Sequence, residues 1–191
     1  MKIATILGSL NKNGSCAHAL NIVNDELQNS NNIELVTIEP NDYTLPFPGQ
    51  LLPNSDEKKL QLLLSDVGGI IFSTPEYHGS ISSIVKLIIE NLGFPSLLSG
   101  KAVSLLGVAG GSIGAIKSLE QLRSICSHVG AIVLPGPVSI PKVHSVFDKE
   151  GNCLDVKVEQ RLRTLANEMI KYAEKHICPA HALEEQVREN L

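Results

Sequence analysis

The chain has 191 residues, 43% of them hydrophobic, and a formal net charge of −4, which suits one medium-sized domain with a substantial core. No run of Lys or Arg occurs, so the sequence predicts no nucleic-acid partner. No apolar stretch reaches the ~20 residues of a membrane span, and the chain begins directly on a strand pattern. We therefore expect no membrane partner and no signal peptide.

Strand and helix patterns alternate along the chain, each identified by its apolar spacing. Five strands alternating with five helices predict an α/β fold with a parallel sheet covered on both faces. We expect one domain over residues 1–177 and a polar tail over residues 178–191. The predicted strands are 2–7, 33–38, 67–73, 101–109 and 131–140, and the predicted helices are 15–28, 55–64, 81–92, 115–129 and 155–177.

The helix predicted over residues 81–92 carries more apolar residues than one face needs. Ile81, Val85 and Ile88 belong to a regular buried stripe, whereas Leu87 and Ile89 lie off it. These two residues predict a second apolar surface that meets a partner subunit.

Four cysteines are scattered without a C-x-x-C pair, at Cys16, Cys126, Cys153 and Cys178. This pattern favours free thiols in a reducing compartment, and we predict a cytoplasmic location. The six histidines show no metal-ligand spacing, so no metal site is expected.

The loop GSLNKNGS follows the first strand and precedes a helix. It is neither a Walker A loop nor a G-x-G-x-x-G motif. Ser9, Asn11, Ser15 and the backbone amides beside the helix amino end suit a phosphate. The alternative is an ordinary strand-to-helix turn in which Ser15 only caps the helix.

The loop TPEYHGS, residues 74–80, follows the third strand. Tyr77 and His78 are planar groups beside Gly79, which permits a tight turn, so they could flank a flat ligand. Glu76 could accept hydrogen bonds or act as a base. The alternative is a packed turn with a solvated Glu76.

The loop AGGSI, residues 109–113, follows the fourth strand, and its two glycines let the backbone approach a ligand closely. Residues 110–114 also fit G-x-S-x-G, so Ser112 could be a hydrolase nucleophile, with Asp148 or Asp155 and then His176 in the chain order of that class. That alternative leaves the other two loops without a role. All three loops are expected at the carboxyl edge of the sheet, where such folds bind ligands.

Together, GSLNKNGS, TPEYHGSISSIVKLIIENLG, GVAGGSIGA and QLRSICSHVGAIVLP resemble the NADPH-dependent FMN reductase family over roughly residues 2–140. This family comprises flavodoxin-like flavoproteins that include quinone, azo-dye and chromate reductases. The resemblance implies a three-layer sandwich with strand order 2-1-3-4-5 and a noncovalently bound FMN.

The resemblance also implies where FMN would lie. In this family Arg is common at the position of Asn11, so here only Lys12 would be left in the loop to pair with the phosphate. The implied contacts are Ser9, Asn11, Ser15 and Cys16 for the phosphate, Pro75, Glu76, Tyr77, His78 and Gly79 on one side of the isoalloxazine, and Ala109, Gly110 and Gly111 on another.

The implied activity is hydride transfer from NADPH or NADH to the flavin, then electron transfer to a small flavin, quinone, azo or metal-ion acceptor. The flavin carries the chemistry, so no catalytic side chain is expected and Glu76 is assigned a structural role. A homodimer or homotetramer with the flavin near the interface is implied. Two alternatives stay open: an FMN-binding electron carrier or sensor with little turnover, and the hydrolase built on Ser112.

Overall fold

A computed structural model describes residues 1–179 and shows a parallel sheet between two layers of helices. The strand order is β2-β1-β3-β4-β5, with a sixth strand also paired to β4, which confirms the predicted flavodoxin-like arrangement. The strands are β1 Lys2–Leu7, β2 Glu34–Ile38, β3 Gly69–Pro75, β4 Ala102–Val108, β5 Ile132–Val133 and β6 Val138–Ile140. The helices are α1 Ser15–Gln28, α2 Glu57–Ser65, α3 Ser83–Glu90, α4 Ile116–His128 and α5 Val156–Tyr172, which continues into a π-helical turn over Ala173–Ile177.

The strand predicted over residues 131–140 is two short strands, and this part of the prediction was wrong. Both pair with β4, Ile132 opposite Ala102 and Val138 opposite Leu106. Between them stand Pro135 and Pro137, which have no N–H to donate to a neighbouring strand. The ladder is therefore interrupted and resumes near the carboxyl end of β4.

Two apolar cores lie on opposite faces of the sheet. One packs α1 and α5 against the sheet, and the other packs α2, α3 and α4. Successive side chains of β3 alternate between them, with Ile71 in the first core and Ile70 and Phe72 in the second, as the two-residue period of a strand requires. Every residue of β3 and β4 is buried, which is why both read as continuous apolar runs.

The residues that precede the first two helices are Gly14 for α1 and Asp56 for α2, and neither makes a side-chain capping hydrogen bond. Ser15 is therefore the first residue of α1 and not its cap. Helix α3 has a side-chain cap, since Ser82 Oγ accepts a hydrogen bond from the Val85 amide at 3.3 Å.

Of the two residues expected to form a second apolar surface on α3, Ile89 lines a groove beside α4. This residue is buried inside the chain with Ile88, while Leu87 is half-buried. No helix within residues 1–179 has both the length and the apolar character needed to cross a bilayer. The predicted tail, apart from residues 178 and 179, lies outside the described residues.

Candidate functional site

The loops after β1, β3 and β4 meet at the carboxyl edge of the sheet around a cavity of about 430 Å³, a volume typical of ligand pockets. Most residues singled out in the sequence line it, so the three loops do form one site. The predicted residues in its wall are Ser9, Asn11, Ser15, Cys16, Pro75, Glu76, Tyr77, Ala109 and Gly110.

Gly8 anchors the first loop to the neighbouring strand. Its amide donates to the Ser73 carbonyl at 2.8 Å, and its carbonyl accepts from Ser82 Oγ at 2.7 Å. A Cβ at position 8 would lie 2.3 Å from the Ser73 oxygen and 2.4 Å from a methyl of Val85. Only glycine allows this close approach, which sets the path of the loop above the sheet.

The side chains of Ser9 and Asn11 shape the loop. Ser9 Oγ accepts from the Asn11 amide at 3.2 Å, and Asn11 Oδ1 accepts from the Asn13 amide at 3.1 Å. The amides of Ser15, Cys16 and Ala17 in the first turn of α1 find no acceptor among residues 1–179. These free donors, together with the positive end of the helix dipole, favour an anion at this point.

Cys16 borders the cavity, but its thiol belongs to the protein interior. Sγ lies 2.8 Å from Ser73 Oγ, and burial raises the thiol pKa to about 11. The side chain therefore stays protonated at neutral pH and is a packing group rather than a charged ligand.

Lys12 is absent from the cavity wall. Its ammonium group lies 2.5 Å from Glu39 and 3.2 Å from Asp42, and hydrogen bonds to these two carboxylates raise its pKa. The cation nearest in sequence to the anion-binding loop is thus already paired on the outer side of that loop.

The second loop makes a tight turn in which Tyr77 and Ser80 exchange two backbone hydrogen bonds of 3.0 Å. His78 and Gly79 occupy its centre with φ of 52° and 72°, the positive values that a type I′ turn requires. Neither lines the cavity, and a Cβ on Gly79 would face Lys117. Of these turn residues only Tyr77, which is 57% exposed, borders the cavity, and contacts of His78 and Gly79 with the flavin remain a prediction.

Glu76 holds the start of α4. Its Oε2 accepts a hydrogen bond of 3.0 Å from the Ser118 amide in the first turn of that helix, and Ala115, which precedes the helix, offers no capping side chain. A carboxylate at a helix amino end is favoured by hydrogen bonding and by the dipole. This contact supports the structural role and not that of a base.

The third loop is held by the segment after β6. Val143 N donates to the Ala109 carbonyl at 3.0 Å, and Lys142 N donates to the Gly111 carbonyl at 2.9 Å. Gly110 lines the cavity, and no acceptor within residues 1–179 takes its amide hydrogen. Gly111 does not line it, and its contact with the flavin remains a prediction.

The hydrolase alternative fails on the position of His176. This residue stacks on Tyr172 with ring centres 4.7 Å apart, and the adjacent Ile177 lies against Gly68, next to the amino end of β3. Ser112 follows β4 at the opposite, carboxyl edge of the sheet. The two residues cannot form one catalytic set.

One wall of the cavity, formed by the segment after β6 and by α1, was not predicted from the sequence. Helical spacing could have suggested His18, three residues after Ser15, whereas the segment after β6 had no recognisable motif. The missed residues are Val143, His144, Phe147, Asp148 and Lys149 after β6 and His18 in α1, together with Asn13 and Gly14 in the first loop and Val108 at the end of β4.

The family model of the NADPH-dependent FMN reductases matches residues 1–145, three quarters of the chain and all three loops. The chain belongs to this family. It is therefore an oxidoreductase, and its cofactors are FMN and NAD(P)H.

Relatives of this FMN reductase family member differ in their named acceptors. The chain is 25% identical over 182 residues to a 2-hydroxy-1,4-benzoquinone reductase of Burkholderia sp., covering 91% of this chain and 94% of that one. It is 29% identical over 130 residues to an NAD(P)H-dependent FMN reductase of Pseudomonas aeruginosa, covering 64% and 67%.

A solved structure shares the fold at low identity. The flavoenzyme NAD(P)H:(acceptor) oxidoreductase FerB of Paracoccus denitrificans superposes with a TM-score of 0.76 at 19% identity, covering 92% of this chain and 98% of that one.

The residues around the cavity fit FMN. The unpaired amides of α1 can receive its phosphate, Pro75, Tyr77 and Phe147 offer apolar and aromatic surface for its ring, and the Gly110 amide can meet a polar ring edge.

Proposed function

We propose that this FMN reductase family member transfers a hydride from NAD(P)H to FMN held in the cavity at the carboxyl edge, and then reduces a small flavin, quinone, azo or metal-ion acceptor. The observation that carries the proposal is the cavity itself, which combines unpaired amides at the start of α1 with a flat-ligand wall at Tyr77. The names of the relatives, a benzoquinone reductase and an FMN reductase among them, support the choice of acceptors.

Bound FMN supplies the redox chemistry, accepting a hydride and passing the electrons on. The protein binds and orients it. The amides of Ser15, Cys16 and Ala17 would hold the phosphate, and the Gly110 amide would hydrogen-bond a polar ring edge, where it favours added negative charge. Tyr77 would pack against the ring, and Glu76 keeps α4 and its preceding loop in place.

The test is spectroscopic. The purified protein, loaded with FMN, is mixed anaerobically with NADPH or NADH while the visible flavin absorbance is followed. Bleaching of the bound flavin, followed by its recovery when a benzoquinone is added, is the expected result. A flavin that binds but stays oxidised would indicate an electron carrier or sensor, and a protein that binds no FMN would contradict the proposal outright.

We further propose that the chain forms a homodimer or homotetramer in the cytoplasm. An apolar groove runs between the ends of α3 and α4, and Phe94 at its rim is fully exposed at 102%. Burial of such an aromatic side chain by a second copy is favourable. The four cysteines are free thiols, which supports the reducing compartment.

A further inference from the structure

The cavity wall contains one formal cation. Lys149 is the only Lys or Arg among the described residues that line it, and Lys149 has no carboxylate within 4 Å in the described chain. Two carboxylates, Glu76 and Asp148, share the wall, but each already accepts hydrogen bonds from the protein. A dianionic ligand group in this cavity therefore has a single flexible positive charge available to it.

Lys149 stands at the tip of a small hairpin over residues 147–153. Phe147 pairs with Cys153 in an antiparallel bridge, and the Asp148 amide donates to the Asn152 carbonyl at 3.0 Å. Asp148 Oδ1 and Oδ2 each accept a 2.8 Å hydrogen bond from Asn152, which lowers the Asp148 pKa. The Asp148 charge is thus committed to holding the hairpin closed.

The hairpin rests on the first turn of α1. The Phe147 ring lies 5.8 Å from the His18 ring, centre to centre, and a Cβ on Gly151 would lie 2.5 Å from His18 Nδ1. Lys149 lies between these two contacts in sequence. The hairpin therefore places Lys149 in the wall of the same cavity as Ser15 and Cys16, whose amides are unpaired.

We propose that Lys149 binds the FMN phosphate and makes the site select FMN over riboflavin, which has no phosphate. The proposal rests on the proposed function, namely that FMN occupies this cavity. Lys12 is excluded from the role by its ion pairs with Glu39 and Asp42. The positive charge for the phosphate thus comes from a hairpin that follows β6 and not from the loop after β1.

The experiment measures the Kd of FMN and of riboflavin by flavin fluorescence for the wild type and four variants. Lys149→Gln should raise the Kd for FMN about tenfold, the weaker end of what loss of a charge-assisted hydrogen bond produces, and leave the Kd for riboflavin within about twofold. Lys149→Arg should restore FMN affinity. Lys142→Gln removes the same charge from an exposed site in the same segment and should change neither Kd, and Lys12→Gln should also change neither.

Three results would overturn the inference. Lys149→Gln could leave the FMN affinity intact, it could weaken both flavins equally, or Lys12→Gln could give the FMN-selective loss instead. Each of these leaves the proposed function standing, because the wild type still binds FMN. A wild type that binds neither flavin would overturn the proposed function and this inference together, so the two failures are distinguishable.

Discussion

Cys16 and Cys126 are buried thiols, one in each apolar core of the sheet. Burial raises the pKa of Cys16 to about 11 and that of Cys126 to about 12, against 9.0 for a free thiol. Below pH 9 both thiols are protonated in the folded chain and in the unfolded chain. They therefore do not contribute to the pH dependence of the free energy of unfolding in that range. Above pH 9 the unfolded chain releases the thiol protons while the folded chain retains them.

The free energy of unfolding should therefore fall as the pH rises from 9 to 11, by up to about 1.4 kcal/mol per pH unit for each thiol. Urea unfolding at pH 8, 9.5 and 10.5 measures this slope. The Cys126→Ala variant removes one of the two thiols and should show a shallower slope, whatever its stability at pH 8. An unchanged slope in that variant would show that burial of Cys126 does not control its ionisation.

At the scale of one element, Glu76 connects the second loop to α4. Its carboxylate caps the Ser118 amide, so the loop that carries Tyr77 and the helix that follows the third loop are tied together. The sequence alone also allows Glu76 to act as a general base. A helix cap and a general base predict different effects of conservative substitutions at this position.

Glu76→Ala should lower the free energy of unfolding by about 1 kcal/mol, because it removes the helix cap. Glu76→Gln keeps an oxygen acceptor and should cost less, roughly the 0.3–1 kcal/mol of the charge–dipole interaction. With FMN saturating, the Gln variant should reduce quinone at close to the wild-type rate in stopped-flow assays. Removal of a general base would instead cost about 10²–10⁴ in rate, and a loss of that size with normal FMN binding would contradict the structural role.

At the scale of the whole molecule, the exposed Phe94 and the groove between α3 and α4 form the surface on which the proposed assembly of two copies depends. Ile125 and Val129 of that groove belong to the edge of one apolar core, so a second copy would extend this core across the interface.

Phe94→Asp should therefore turn the proposed oligomer into a monomer, because a charge at the rim of this apolar groove would be costly to bury against a second copy. Light scattering coupled to size-exclusion chromatography measures the mass. Leu51→Asp is the matched control, since Leu51 is 96% exposed in the loop before α2 and its change should leave the mass unaltered. A wild type that is monomeric at micromolar concentration would refute the proposed assembly.

Local sequence patterns were sufficient to predict the first four strands, the alternation of strands and helices, and the three loops that border the cavity. The continuous apolar run of β3 predicts a strand that is buried on both faces. The regular apolar stripe of α3 predicts a helix with one buried face. Loops that follow parallel strands must meet at one edge, so the grouping of Ser9, Tyr77 and Gly110 was predictable before any coordinates.

Features that depend on side-chain direction or on contacts between distant segments required the folded structure. It showed that His78 lies in a tight turn and does not line the cavity, that Pro135 and Pro137 divide the last strand, and that Lys12 is already paired. It also placed Lys149 in the wall of a cavity shared with α1 residues that lie more than a hundred positions earlier in the chain. No local pattern encodes such a contact, because it depends on how α1 and the segment after β6 pack on the same face of the sheet.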